Sequence, residues 1–277
     1  MRRCACRGTA GFAHVSCLAE QAKILVAEAE ENNLDDGPFN ERWHRWHTCS
    51  LCEQHYHGAV YCALGWACWK TYVGRPEGDR NRIPAMNLLG NGLHAATQHE
   101  DALSVREAEL SMRQRLGGSE ENILSVQGNI AISYQKLGRL EQALQIERDV
   151  YSGRLKLNGA ESMEALVSAN NWGSSLVDLR RFEEAKSMLR EMIPVARRVI
   201  GDNHELTIRL GWNYTMALCE DPAATLGDLR EAVATFEKTI RVTRRVFGGD
   251  NPLTRGIERS LQKARSTLRA RETQSPG

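Results

Sequence analysis

The chain has 277 residues, of which 36 are Lys or Arg and 35 are Asp or Glu, so its formal net charge at pH 7 is +1. This balance argues against an extended nucleic-acid surface and against a polybasic membrane anchor. The longest apolar stretch, Ala59–Trp69, is shorter than the roughly 20 residues that a membrane-spanning helix needs. We therefore expect no nucleic-acid partner and no membrane span, in a protein of the cytoplasm or the nucleus.

Cysteine is concentrated at the start of the chain, where seven of the eight cysteines precede residue 69. Clustered cysteines favour disulfides in a secreted protein and metal ligation in a reducing compartment. Zinc takes four tetrahedral thiolate or imidazole ligands, and short pairs of such residues present two ligands at once. Three short pairs occur in order and predict zinc as a cofactor: Cys4-x-Cys6, His14-x-x-Cys17 and Cys49-x-x-Cys52.

The run from Cys4 to Leu18, CACRGTAGFAHVSCL, resembles the RING-CH class of zinc finger in its ligand spacing. In that class the pairs are cross-braced, so that the second pair shares a zinc ion with the fourth. The class also has a leading Cys-x-x-Cys pair that would precede Cys4, and this sequence does not contain it. The resemblance thus implies one complete four-sulfur site, Cys4, Cys6, Cys49 and Cys52, and an incomplete second site, His14 and Cys17.

A RING-CH finger implies ubiquitin ligase activity, in which the finger docks a ubiquitin-conjugating enzyme and contributes no nucleophile. Part of that docking surface is the loop inside the leading pair. Four further histidines could compete as zinc ligands or pack around Trp43 and Trp46: His44, His47, His55 and His57.

The next segment, Ala59–Tyr72, reads AVYCALGWACWKTY and carries its cysteines and tryptophans at helical spacing. This spacing predicts a core helix that packs the finger against the next part of the chain. The turn-rich stretch Gly74–Arg82 then indicates a domain boundary. We assign residues 1–58 to a partial zinc finger and residues 59–80 to a connecting helix and linker.

Three later segments repeat one another: LGRLEQAL at Leu137–Leu144, LRRFEEAK at Leu179–Lys186, and DLREAV at Asp228–Val233. Each continues into an amphipathic stretch that ends at a glycine, a helix C-cap signal, followed by polar residues that can start the next helix. A small residue recurs in these copies and in a weaker earlier one: Ala102, Ala143, Ala185 and Ala232. The spacing predicts an all-α fold of about four stacked helical hairpins over residues 81–268 and a disordered tail over residues 269–277. An irregular helical bundle with chance similarity is the alternative.

The best copy, Asn129–Leu144, reads NIAISYQKLGRLEQAL and resembles the tetratricopeptide repeats of the kinesin light chain type. The resemblance covers residues 82–268. It implies a right-handed superhelix whose first helices line a concave groove that binds a protein or peptide partner. A role in linking a motor to its cargo is the weaker reading, because the heptad coiled coil that joins kinesin light chains to their motor is not in this sequence.

Asparagine recurs on the predicted first helices at a spacing of 42 residues: Asn87, Asn129, Asn171 and Asn213. Asparagine is a mediocre helix former, so its repetition needs a reason. A carboxamide can pair with the backbone of an extended peptide, and in the resembling family this asparagine does so. The alternative is that these amides bond between adjacent repeats as structural pins. Arg209, one turn before Asn213, could add an anion contact.

The sequence has no Gly-rich phosphate loop, no nucleophile elbow and no H-E-x-x-H pair. We therefore interpret the chain as a zinc-binding scaffold or adaptor whose repeat groove holds a protein or peptide. The alternative is a RING-CH-type ubiquitin ligase whose repeats select the substrate.

Overall fold

The computed structural model describes residues 14–274, and every regular element in that range is helical apart from an isolated bridge between Thr48 and His55. A single 3₁₀ turn, His44–Trp46, follows the second helix. The helices are, in chain order, α1 (Val15–Glu31), α2 (Asp36–Trp43), α3 (Gly58–Tyr72), α4 (Arg82–Ala95), α5 (His99–Arg115), α6 (Glu120–Lys136), α7 (Leu140–Asn158), α8 (Met163–Asp178), α9 (Phe182–Ile200), α10 (Glu205–Glu220), α11 (Leu226–Phe247) and α12 (Pro252–Gln274). Within this described range, none of the helices is both long enough and apolar enough to cross a membrane.

The chain divides into two compact units, Met1–Gly138 and Arg139–Gly277. Unit 1 contains α1–α6, and unit 2 contains α7–α12. The division falls in the turn that joins α6 to α7, whereas the sequence pattern placed a boundary at Gly74–Arg82.

Unit 1 has a core shared by α1, α2, α3 and α4, with Val26, Trp46 and Tyr72 among its buried side chains. Helix α3 lies directly along α4, because glycines remove the side chains between them. A Cβ added to Gly92 would come within 2.9 Å of the Cα of Cys62. The segment before the repeats therefore packs into the first repeat.

The turn-rich segment between α3 and α4 is held against α1 by a partly buried ion pair. The Arg75 guanidinium lies 2.6 Å (Nη1) and 2.9 Å (Nη2) from the two carboxylate oxygens of Glu30. Asn81 also donates its Nδ2 to Glu30 at 2.6 Å. These contacts fix a stretch whose composition alone suggests a flexible linker.

Unit 2 consists of α7–α12, in which neighbouring helices pack in chain order and α8 also contacts α10. One buried cluster joins α8, α9 and α10 and includes Leu166, Leu189 and Leu210. A second joins α10, α11 and α12 and includes Phe236 and Ile257. This sharing of apolar faces between neighbours is typical of stacked hairpins.

The helix ends follow the predicted repeat. The predicted C-cap glycines all have a positive φ, between 69° and 89°: Gly117, Gly159, Gly201 and Gly248. Polar side chains then accept from backbone N–H groups at the start of the following helix: Ser119, Ser162, His204 and Asn251. The recurring small residues Ala102, Ala143, Ala185 and Ala232 are fully buried.

The C-terminal helix is longer than the sequence predicted. Residues 269–277 were expected to form a disordered tail, but α12 continues to Gln274. The reason is a pair of long-range contacts: Arg230 Nη2 donates to Glu272 at 2.9 Å, and Arg271 Nη2 donates to the carbonyl of Pro222 at 2.6 Å. Residues 275–277 lie outside the described range.

Candidate functional site

In unit 2, the first helices of two successive repeats, α8 and α10, lie side by side and border a surface groove of about 250 Å³. Its walls combine amide, hydroxyl, charged and aromatic side chains. Those from α8 are Asn170, Ser174, Val177 and Asp178, and those from α10 are Arg209, Trp212, Asn213 and Met216. Such a lining can hydrogen-bond an extended backbone while it contacts apolar side chains.

Asn213 joins the two helices across this groove. Its Nδ2 donates to the backbone carbonyl of Asn170 at 3.3 Å and to the Asn170 side-chain Oδ1 at 3.2 Å. Asn170 in turn donates its Nδ2 to the Oδ1 of Asn171 at 3.4 Å. Asn213 therefore acts as a pin between repeats. Asn170 was not among the residues predicted from the sequence, although it directly precedes Asn171 and so forms an Asn-Asn pair with it.

Asn129, on α6 of unit 1, is placed differently. Its backbone carbonyl accepts from Arg106 Nη1 at 2.8 Å, but its half-buried side-chain amide makes no hydrogen bond to another described residue. Because the Asn129 amide is uncommitted, it fits a peptide contact.

Asn87, on α4, is one position out of register. It lies ten residues before the positive-φ turn residue Thr97, whereas Asn129 lies nine residues before the equivalent Gly138. Its side chain is also engaged, donating Nδ2 to Glu109 at 3.4 Å and accepting from Asn91 at 3.1 Å. Asn87 therefore lies 42 residues before Asn129 but does not occupy the equivalent position of its own repeat.

A buried polar network holds α4, α5 and α6 together in unit 1. Arg106 donates Nη1 to Ser133 Oγ at 2.6 Å and Nη2 to Asn91 Oδ1 at 3.2 Å, and burial lowers its pKa to about 10. Burial raises the pKa of the Glu109 carboxyl, against the opposing effect of Arg113, whose Nε donates to it at 2.9 Å. These bonds fix the face of α6 on which Asn129 sits.

Arg209 stands at the edge of the unit 2 groove with its side chain 44% exposed. Its Nη2 lies 2.6 Å from Oε1 of Glu205, one turn earlier on α10. The guanidinium keeps donors free for a partner, since a single carboxylate oxygen uses only part of its fork.

The Cys49–Cys52 pair occupies a tight turn. Cys49 N–H donates to the carbonyl of Gln54, and Glu53 N–H donates to the carbonyl of Cys49, each at 2.9 Å. Glu53 takes a positive φ of 54° to close the turn. A turn that carries two thiols three residues apart fits the presentation of a zinc ligand pair.

The start of α1 packs beside this turn, where Val15 and Leu18 share an apolar cluster with Cys49 and Cys52. His14 is the N-cap of α1, and Cys17 is exposed in its first turn. Cys4 and Cys6 lie outside the described residues. Between residues 14 and 274, no three His, Cys, Asp or Glu side chains come together in a way that could hold a metal ion.

Three histidine rings near the turn contact one another. His47 and His55 have ring centroids 5.1 Å apart and an interplanar angle of 13°, and His44 lies 5.2 Å from His47. Burial, and secondarily the charges of His55 and His44, lower the pKa of His47 to about 4. These rings pack together as a group.

The fold is that of an all-α protein built from stacked helical hairpins. Residues 82–156 match one family model described as a tetratricopeptide repeat, and residues 166–205 and 223–253 match a second of the same description. The repeat region of this chain therefore belongs to the tetratricopeptide repeat family, which confirms the predicted fold class.

Solved structures with similar folds include proteins related to kinesin light chains. A putative kinesin light chain from Podosopora anserina, with nearly identical TPR-like repeats, has a TM-score of 0.55 at 15% identity, covering 85% of this chain and 99% of that one. BtubC (BKLC) from P. vanneervenii has a TM-score of 0.54 at 14% identity, covering 96% of this chain and 95% of that one. At these identities the similarity concerns the fold. No curated protein matches this chain in sequence.

Proposed function

We propose that this chain is a protein-interaction scaffold whose repeats bind an extended peptide segment of a partner. The observation that carries the proposal is the groove between α8 and α10, where amide, hydroxyl and guanidinium groups lie beside Trp212 on an open surface. Extended peptides need such paired groups to replace the water lost from their backbone.

Selection from a random peptide library on the full chain, followed by fluorescence anisotropy with the selected peptides, tests this proposal. Ser174→Arg fills the groove with a long charged side chain and should abolish binding. Arg209→Gln removes the partly exposed guanidinium at the groove edge and should weaken binding by about 1–2 kcal/mol, since a peptide acceptor then loses its donor.

Lys156→Gln, an exposed change on α7, serves as the matched control and should bind as the wild type does. If no peptide is enriched, or if every selected peptide binds Ser174→Arg equally well, the groove is not the binding site.

We further propose that the N-terminal segment binds zinc through Cys4, Cys6, Cys49 and Cys52. The closed turn at Cys49 and Cys52 supports one half of this ligand set. When bound, zinc would cross-link the start of the chain to that turn, beside the apolar cluster in which Val15 and Leu18 pack with it. Elemental analysis of the purified chain should give about one zinc per molecule, and Cys52→Ser should lose it.

In this proposal the finger braces the chain and performs no catalysis. Incubation with ubiquitin, an activating enzyme and a panel of conjugating enzymes should therefore yield no ubiquitin chains. Zinc-dependent chain formation would instead establish the ligase alternative.

A further inference from the structure

Unit 2 contains a second cavity, of about 590 Å³, that shares no lining residue with the groove between α8 and α10. It lies at the start of α10 and is walled by α11 and by the loop after α9. Its volume is in the range of roughly 300–1,000 Å³ that small-molecule sites occupy. The peptide binding proposed for the groove between α8 and α10 does not involve this cavity.

A buried hydroxyl without a partner lines this cavity. Thr207 is only 5% exposed, and its Oγ1 has no hydrogen-bond partner. A helical threonine usually donates to the carbonyl four residues earlier, but here that residue is Asn203, which precedes the first residue of α10. On the opposite wall Thr239 makes the ordinary bond, to the carbonyl of Thr235 at 2.8 Å.

The unsatisfied hydroxyl destabilises the unliganded fold, because a buried donor without a partner has lost the hydrogen bonds that it makes to water. We expect such a buried, unpartnered threonine where a bound molecule supplies the missing hydrogen bond.

The charges around the cavity favour an anion. Lys238, exposed on α11, makes no ion pair or hydrogen bond with any described residue. Arg197 forms an ion pair with Asp202, whose Oδ1 lies 3.2 Å from Arg197 Nε. The N-terminus of α10, a 16-residue helix, adds partial positive charge at the same end.

Two aliphatic side chains, Ile208 and Val242, also line the cavity, and a Cβ added to Gly211 would meet nothing within 4 Å. The cavity thus has room for an organic group beyond the anion itself.

We propose that this cavity binds a small organic phosphate. The phosphate group lies at the start of α10, where it accepts from the Thr207 hydroxyl and the Lys238 ammonium. The organic part contacts Ile208 and Val242. Phosphate is favoured over a single carboxylate because its three terminal oxygens can serve the hydroxyl, the ammonium and the helix N-terminus together.

The test is titration calorimetry of the full chain with glycerol 3-phosphate and with inorganic phosphate, at matched ionic strength, with glycerol as the uncharged control. Both phosphates should bind saturably, glycerol 3-phosphate the more tightly, and glycerol should not bind. Thr207→Val and Lys238→Gln should each weaken binding by about fivefold or more, as expected for the loss of one charge-assisted hydrogen bond.

Thr207→Val keeps the side-chain shape, so the unliganded variant should unfold at the same urea concentration as the wild type or a higher one. This separates loss of the ligand contact from loss of the fold. Lys156→Gln, an exposed lysine outside the cavity, should bind phosphate normally. Absence of saturable binding by the wild type, or undiminished binding by both cavity variants, would overturn the proposal.

Discussion

The turn between the two helices of a repeat needs a positive φ at one position. Gly138 supplies it with a φ of 72°, but Thr97 has a φ of 63° at the same position of the preceding repeat. For a residue with a side chain, and for a β-branched one above all, this left-handed region costs about 1–2 kcal/mol. The first repeat therefore carries local strain that the second lacks.

Thr97→Gly should stabilise the protein by about 0.5–1 kcal/mol, because relief of the strain exceeds the added entropy of the unfolded chain. Urea unfolding followed by circular dichroism measures the change. The matched reverse change, Gly138→Thr, should destabilise by a similar or larger amount. Equal stability of both variants and the wild type would show that the turn tolerates either residue.

Burial of the Glu147 carboxyl makes the stability of the protein depend on pH near neutrality. It is 3% exposed on α7. Burial raises its pKa from 4.5 to about 7, the nearby Ser175 opposes that rise, and the Asp178 carboxylate adds to it. Because the folded state holds the proton more tightly than the unfolded chain, this contribution to stability is complete below about pH 4.5 and is lost as the pH rises through 7.

Glu147→Gln should therefore match the wild type near pH 4 and exceed its free energy of unfolding at pH 8, by up to about 3 kcal/mol. The measurement is urea unfolding at several pH values. The difference between the two proteins isolates Glu147 from other titrating groups. A difference that does not change with pH would mean that the carboxyl is not buried as described.

Sequence reasoning located the recurring asparagines but could not assign their roles. Asn129 and Asn213 occupy the same repeat position, yet only Asn213 has Asn170 within hydrogen-bond reach. That difference depends on the neighbouring helix, which a periodic pattern does not specify. The peptide-contact role of this series stays a prediction, as does the zinc set that includes Cys4 and Cys6.

At the scale of elements, α12 is docked by a close contact between a glycine and an aromatic ring. A Cβ added to Gly256 would lie 2.6 Å from Cη2 of Trp212, whose Nε1 donates to Ser260 Oγ at 3.0 Å. The helix can approach α10 so closely only where it has no side chain.

Gly256→Ala should destabilise the protein by about 1–2 kcal/mol, because the clash outweighs a gain of about 1 kcal/mol in helix propensity. The indole N–H resonance of Trp212 should also shift as its bond to Ser260 is lost. Gly128→Ala is the control: it sits inside α6 with no atom within 4 Å of the added Cβ, so it should stabilise by about 0.5–1 kcal/mol. If both alanines stabilise, α12 repacks without cost.

The helices of the repeats were largely predictable, because their ends depend on local sequence signals. The C-cap glycines have a positive φ and the alanines at constant spacing are buried, as the sequence indicates. The end of α12 was not, since it depends on Arg230 and Pro222, each more than 40 residues away from its contact in the helix. The packing of α3 against the first repeat was predicted, but its close approach to α4 was not, because a glycine such as Gly92 reads from sequence as a weakness in a helix.

At the scale of the whole molecule, the sequence predicted that one helix packs the N-terminal segment against the repeats, with a domain boundary at Gly74–Arg82. The structure gives α1, α2, α3 and α4 a single core, with Ala85 and Leu88 of α4 buried beside Val26 of α1. Composition could not reveal this, because the polar stretch Gly74–Arg82 is fixed by contacts such as that of Arg75 with Glu30 and not by its own apolar content.

This shared core changes what zinc removal should do. If zinc holds the start of the chain to the Cys49–Cys52 turn, a chelator should increase hydrogen exchange in α1 and, through their common core, in α3 and α4. The helices α8–α11 should keep their protection, because repeats derive stability from their immediate neighbours. Hydrogen-exchange mass spectrometry with and without chelator measures each segment.

Two cysteine variants separate the metal from a general effect of losing a thiol. Cys52→Ser should reproduce the effect of the chelator, because it removes one of the proposed ligands. Cys219→Ser, at a buried cysteine of unit 2 outside the zinc set, should leave α1 protected and zinc bound. Exchange that rises equally in α1 and in α8–α11, or that does not change on chelation, would mean that the metal does not brace this core.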